Sequence, residues 1–290
     1  MRGARVSSAQ LGHVVGPGAN RDTGQVMQRL WGTGGSSFLM SLKWLAGAAI
    51  AFHCSLSPAH AVDEIQVYNA EIAAPGTFTL QQHLNYVWSG STTPDYPGGF
   101  ASNRTLNGTP ELAYGVTDWY ELGLYVPFAF DSSGTFLPGG FKLRQLFVSP
   151  HAEDRKVFYG LNVELSYQTP RFSQSAIGLE FRPILGVRDL GWEFIFNPIV
   201  DLSFAPNGAA AFAPAARLAR NVGGDTWLGV EYYSSYSPID ALPPADQQQH
   251  TLFGVVDFKL FGLDINLGMG FGLTGASDTV VTKMIIGRAF

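Results

Sequence analysis

The chain has 290 residues, a formal net charge of −5 and 34 glycines; aromatic side chains make up 13% of it and charged ones only 14%. A water-soluble domain usually carries about a quarter charged residues, so this composition points away from an ordinary soluble surface. Beyond residue 61, however, no run approaches the ~18 consecutive apolar residues that a membrane-crossing helix requires, which excludes a helical membrane protein.

Residues 1–39 are rich in Gly, Ser and Arg without apolar periodicity. They read as a disordered leader, or as sequence ahead of a true start at Met27 or Met40. Residues 40–61 follow with a short basic start at Lys43, an apolar middle and the small-x-small ending Ala59-His60-Ala61. That is the layout of a secretory signal peptide cleaved after Ala61. Cleavage would remove Cys54, the only cysteine, and would leave 13 basic and 22 acidic residues, a net charge of −9. A chain so acidic is a poor partner for nucleic acid. Residues 62–76 alternate weakly through Ile65, Val67 and Ile72, and are expected to form a periplasmic lead-in or a partial plug.

From residue 77 to residue 290 the apolar period is two, in segments about as long as the ~9 to 11 residues of a tilted strand crossing a bilayer. Twelve such segments are expected, over 77–88, 105–116, 119–130, 141–149, 156–168, 176–188, 191–204, 210–220, 226–236, 250–261, 263–273 and 279–290. In the fifth, Val157, Tyr159, Leu161, Val163, Leu165 and Tyr167 share one face, and Gly160, Asn162, Glu164, Ser166 and Gln168 share the other. Prolines at 110, 127, 183, 198 and 214 cannot donate to a strand ladder and call for bulges or bends.

Connections alternate in length. Thr117-Asp118, Asp189-Leu190 and Gly262 are tight, whereas 89–104, 131–140 and 237–249 are long. An even strand count then places short turns on the periplasmic side and long loops outside, as in bacterial barrels. Trp119, Trp192 and Trp227 would sit at the periplasmic interface and Trp88 at the outer one, joined there by Tyr86, Phe128, Phe130, Phe141, Tyr167, Phe204, Phe212, Tyr232 and Tyr236. The expectation is an all-β fold: an antiparallel up-and-down transmembrane β-barrel of about 12 strands in a Gram-negative outer membrane, in contact with its lipid.

Two local patterns support this reading. The alternating C-terminal segment ending at Phe290 resembles the signal read by the barrel-assembly machinery. Turns at Gly115-Val116-Thr117-Asp118-Trp119, Gly186-Val187-Arg188-Asp189-Leu190-Gly191-Trp192 and Val222-Gly223-Gly224-Asp225-Thr226-Trp227 repeat a glycine, an aspartate and a tryptophan. The first, continued as Tyr120-Glu121-Leu122-Gly123-Leu124-Tyr125-Val126-Pro127, resembles the outer-membrane family of the phenol-degradation (MetA) pathway. The resemblance covers about residues 113–127, and it implies a barrel that passes small, including aromatic, molecules.

The polar face is rich in charge. Glu111, Glu121, Glu164, Glu180, Glu193, Asp201, Glu231, Asp257 and Asp264 would point inward, among Lys142, Arg144, Arg182, Arg188, Arg217, Lys259 and Lys283. Buried charges must pair or stay hydrated. Two readings follow: a selective pore with charged walls for small solutes, or a salt-bridged core that fills a closed barrel whose loops bind a partner. A third, a lipid-face hydrolase, rests on Ser234 and His250 at the outer ends of adjacent segments. No zinc pattern, phosphate loop or nucleophile elbow accompanies them, so no catalytic residue, metal or cofactor is assigned. His83 reads as a wall residue, and His151 as solvated surface.

Overall fold

In the computed structural model, residues 64–205 and 210–290 are described; the leader and the signal-peptide segment lie outside them. The strand segments are Phe78–Ser89 (β1), Leu106–Gly115 (β2), Tyr120–Tyr125 (β3), Phe128–Phe130 (β4), Phe136–Pro138 (β5), Gly140–Val148 (β6), Val157–Gln168 (β7), Ile177–Asp189 (β8), Trp192–Asn197 (β9), Val200–Ser203 (β10), Ala210–Phe212 (β11), Ala215–Gly223 (β12), Thr226–Ser235 (β13), Gln249–Leu260 (β14), Leu263–Gly272 (β15) and Val280–Ala289 (β16). All pair antiparallel, and β1 pairs with both β2 and β16, which closes the sheet into a barrel. Four wall strands are each made of two segments (β3–β4, β5–β6, β9–β10 and β11–β12), so the wall has twelve strands, one for each alternating segment of the sequence.

Alternation sets the two faces. Along β7, Val157, Tyr159, Leu165 and Tyr167 are exposed while Phe158, Asn162 and Glu164 are buried. The exposed set continues around the wall through Leu80, Leu112, Leu124, Leu143, Leu185, Leu218, Val230 and Met269. So continuous an apolar belt would be a liability in water and is what a hydrocarbon solvent requires.

Pro183, Pro198 and Pro214 are accommodated without the bulges anticipated. On one register Leu185 pairs with Phe196 and Val200 with Phe181, so Pro183 faces Pro198; on the next, Asn197 pairs with Ala215 and Val200 with Phe212, so Pro198 faces Pro214. Ladder bonds recur at every second pair, and Phe204 N–H donates to the Ile177 carbonyl at 3.1 Å, which puts Pro183 and Pro198 at a bonding pair where neither donates. Setting Pro183 opposite Pro198 puts two missing donors at one bonding pair, and the register runs through unshifted. A shift does occur at Gly139, between the pairs Phe128–Pro138 and Tyr125–Lys142; it lies opposite Pro127, whose carbonyl accepts from the Gly139 N–H at 2.8 Å, so this proline has the bulge anticipated. There β5 also extends the wall upward, which reduces the long loop anticipated over 131–140 to a turn closed by Asp131.

The tight ends suit the strand twist. Leu190 and Gly191 have φ of 49° and 75°, and Phe261 and Gly262 have 53° and 76°, the positive pairs of a type I′ hairpin. On the inner face, aromatic rings lie over glycines of the neighbouring strand. Phe158 is paired with Gly186, where a Cβ would come within 2.0 Å of its ring.

Candidate functional site

Residues 64–76 run inside the barrel before β1 begins. Ile65, Val67, Tyr68, Ala70 and Ala73 of this strap are buried. Val67, Tyr68 and Ala70 pack on inward apolar side chains of the wall, among them Leu146, Phe158, Ile184 and Ile195; Ile65 packs on Val87, Phe253, Val255 and Val281. An extended chain in a closed barrel has no strand partner for its amides and carbonyls, so side chains from the wall must supply them. Asn197 does this for both groups of one residue, accepting from the Tyr68 N–H at 2.8 Å and donating to the Tyr68 carbonyl at 3.1 Å. Lys283 Nζ donates to the Ile65 carbonyl at 3.1 Å, Arg182 to the Gln66 carbonyl at 3.3 Å, and Glu121 accepts from the Ala73 N–H at 2.5 Å.

The charged residues anticipated on the inner face fall into three groups. In the first, Arg144 of β6 bridges Glu111 of β2, at 2.7 Å, and Glu121 of β3; His83 of β1 lies 3.2 Å from Glu111. In the second, Arg217 of β12 meets Glu193 of β9 at 3.3 Å, Glu231 of β13 at 2.8 Å and Asp257 of β14. Arg188 joins this group through Glu193 at 2.5 Å, and Lys283 through Glu231 at 2.5 Å. In the third, nearer the long loops, Arg182 pairs with Glu180 at 2.7 Å and with Glu64 of the strap at 3.5 Å, Lys142 with Glu164 at 3.6 Å, and Asp201 stands cross-strand from Glu180. Apart from the contact with Glu64, these pairs run along the wall: Arg182 and Glu180 share β8, and the others join strands one to three apart.

Two cavities lie at the two ends of this arrangement. One of about 670 Å³ opens among the tight turns and is lined by Thr79, Glu121, Arg144, Arg217, Asp257 and Arg288, with Tyr68 at its inner end. The other, about 250 Å³, lies towards the long loops and is lined by Lys142, Glu164, Glu180, Arg182, Asp201 and Gln249. Gln66 touches both, so the strap forms the partition between them.

Several anticipated placements change. Lys259 and Asp264 pair with each other at 3.1 Å but are 60% and 64% exposed at the rim, so they belong to the mouth and not to the interior. Trp227, anticipated at the lipid interface, stands opposite the inward Asp257 and lines the larger cavity; Trp119 and Trp192 are exposed on the outside. Ser234 and His250 are cross-strand partners but do not bond: Ser234 Oγ donates to the Pro214 carbonyl at 3.2 Å, and the His250 ring meets Tyr232 Oη at 2.5 Å and Gln248 at 3.3 Å. Among the described residues, no group of His, Cys, Asp and Glu is arranged to hold a metal. The residues that sequence reasoning passed over are Tyr68, Tyr125, Asn197 and Tyr233. Tyr125 and Tyr233 carried a signal, since both are aromatic rings on the polar parity of their strands.

At the long-loop end the loops pack on one another. The Phe100 and Phe172 rings meet at a tilt, 5.1 Å apart, Tyr96 Oη donates to the Pro170 carbonyl at 3.0 Å, and Asp278 accepts from Ser102 Oγ at 2.5 Å and from the Ser91 N–H at 3.4 Å. Burial pushes the Asp278 carboxyl above its ordinary value, against the opposing pull of the Ser102 and Ser91 hydrogen bonds.

No protein-family profile and no curated protein sequence matches the chain. Among solved structures it is similar to an outer-membrane channel from Pseudomonas putida F1, with 13% identity and a TM-score of 0.55 over 78% of this chain and 100% of that one. The chain has the fold of a Gram-negative outer-membrane β-barrel. The transport unit of the Escherichia coli autotransporter AIDA-I, at 10% identity and a TM-score of 0.44 over 81% of this chain and 94% of that one, is a more distant likeness. At these identities the comparisons concern the barrel's architecture.

Proposed function

We propose that this outer-membrane barrel is a passive channel for small solutes, aromatic ones included, whose path is closed at one level by its own N-terminal strap. The observation that carries the reading is the direction of the ion pairs. A filled core would spend its charges across the interior. Here the wall charges pair along the circumference, and what lies across the barrel is the strap, held by hydrogen bonds from Asn197, Lys283, Arg182 and Glu121. With the strap displaced, the wall residues keep their ion pairs with one another, only Arg182 losing Glu64, and become the lining of a polar pore. The two cavities are then the two halves of one path.

In this reading Glu111, Glu121, Lys142, Arg144, Glu164, Glu180, Arg182, Glu193, Asp201, Arg217, Glu231, Asp257 and Lys283 line the path, with Lys259 at its periplasmic mouth. The chain reaches the outer membrane by signal-peptide cleavage after Ala61, and the assembly machinery reads its last strand. The aromatic end of that strand lies against the first, where Phe290 N–H donates to the Phe78 carbonyl at 2.9 Å. Swelling of liposomes containing the refolded mature protein tests the proposal. Uptake of small neutral solutes, accelerated when residues 64–74 are deleted, is the expected result; impermeable liposomes with a fully folded deletion variant would refute it.

A further inference from the structure

Three neighbouring hairpins at the tight-turn end, β8–β9, β12–β13 and β14–β15, carry apolar tips. Leu190 and Phe261 are 85% and 89% exposed, more than any other large apolar side chain described, and Val222 between them is 53% exposed. Leu190 and Phe261 also take the left-handed position of a type I′ turn, where asparagine, aspartate or glycine fits with least strain. In water these two residues would combine backbone strain with apolar exposure. The rest of the rim is different: Asp118 tips the β2–β3 turn, and Glu153, Asp154, Arg155 and Lys156 stand exposed ahead of β7.

Beside the Leu190 tip lies a cation with no counterion. Arg220 of β12 is exposed and shares the lipid-facing parity of Leu218. It stands cross-strand from Trp192, with its guanidinium carbon 5.2 Å from the centroid of that ring. Its Nη1 donates to the Leu190 carbonyl, and among the described residues no carboxylate pairs with it and no acceptor meets its Nε or Nη2. An arginine on a lipid-facing parity is tolerated only where it reaches phosphate and water, and tryptophan prefers the same depth. The pair therefore marks the headgroup layer, which is about 5–7 Å deep on each side of the hydrocarbon. The Leu190 tip stands one residue, ~3.4 Å, beyond the Asp189–Trp192 pair, so it falls within that layer.

We propose that Arg220, Trp192 and the β8–β9 tip form a phospholipid headgroup site in the periplasmic leaflet. The guanidinium takes a phosphodiester oxygen through the N–H groups that the protein leaves open. Leu190 and Phe261 lie among the headgroups and the first carbons of the acyl chains, continuing the apolar belt past its last strand residues, Leu260 and Trp192. The charged turn over Glu153–Lys156 stays in water, so the barrel sits deeper on the side of β8 to β15 than on the side of β2 to β7. The site belongs to the outer surface of the wall and does not depend on whether the barrel conducts.

From Val62 onward the chain has no cysteine, so single thiols can be placed at will. Spin labels at Leu190→Cys, Phe261→Cys and Asp154→Cys can be read in nanodiscs of phosphatidylethanolamine and phosphatidylglycerol. The ratio of collisions with oxygen to collisions with a water-soluble nickel chelate should be severalfold higher at 190 and 261 than at 154. Equal ratios would leave the tips in water, as a surface for a periplasmic protein would be, and labels shielded from both reagents would mean contact between copies; either result overturns the proposal. Native mass spectrometry of the refolded barrel in a non-ionic detergent, titrated with dioctanoyl-phosphatidylglycerol, tests the headgroup contact. Arg220→Gln should bind this lipid roughly tenfold more weakly, the effect of one charge-assisted hydrogen bond, and Arg220→Lys should retain most of the affinity. Unchanged binding by a folded Arg220→Gln barrel overturns the site. Should that variant fold poorly, the spin-labelled chains, which keep Arg220, still decide whether the tips meet lipid.

Discussion

The two faces of this barrel wall follow one rhythm and opposite rules. Outside, Leu80, Leu112, Leu185 and Val230 meet lipid, for which any apolar side chain of similar size serves. Inside, the contacts are particular: Arg217 has three carboxylates, Phe158 lies over Gly186, and Asn197 holds both backbone groups of Tyr68. Alternation therefore tells which face a residue takes but not whom it meets there, and only the inner face distinguishes this barrel from another.

The contrast can be broken deliberately. Arg217→Gln leaves Glu193, Glu231 and Asp257 without their shared cation. Removing one partner of a buried ionic group costs about 3–5 kcal/mol, so the urea midpoint of the refolded barrel should fall steeply. Gly186→Val puts a side chain into the Phe158 ring, and overpacking of that kind costs about 1–3 kcal/mol; the lost stability should be partly recovered in a Phe158→Ala background. On the outer face Leu185→Ala exchanges one lipid contact for another and should cost about 1 kcal/mol or less by the same unfolding assay. An outer substitution as damaging as Arg217→Gln would dissolve the distinction.

The smallest effect concerns the loop clamp at the outer mouth. The Asp278 carboxyl is raised in the folded chain by burial. Its contribution to loop docking is therefore fully present below the unfolded value and is lost as pH rises through the folded one. Proteolysis within 89–105 should be slower in mild acid than at neutral pH, and Asp278→Asn should flatten that dependence. A clamp that instead tightens as pH rises would contradict the assigned direction.

Much of the fold was legible because a period of two is a property of the backbone. The twelve segments, the inward parity of Glu111, Arg144, Glu164 and Arg217, and the tight turns could be read from local sequence alone. The strap was legible only as one of two alternatives, a periplasmic lead-in or a partial plug. Ile65, Val67 and Ile72 alternate as a weak strand would, and what holds the segment inside is a set of side chains more than a hundred residues away, Asn197 and Lys283 among them. Trp227 misled for a related reason: a tryptophan beside a turn suits either an interface or a mouth, and its register with Asp257 decides between them. Pro183, Pro198 and Pro214 looked like defects one at a time. Their placement opposite each other emerges only when three strands are aligned.

Single-channel recording in planar bilayers tests the account at its centre. The mature protein should show low or intermittent current, and the variant lacking residues 64–74 should show a large, steady one, since the ion pairs between wall residues survive the deletion and only Arg182 loses a partner, Glu64. A deletion variant that folds, migrates as an intact barrel and still passes no current would contradict the claim that the strap is what closes the path.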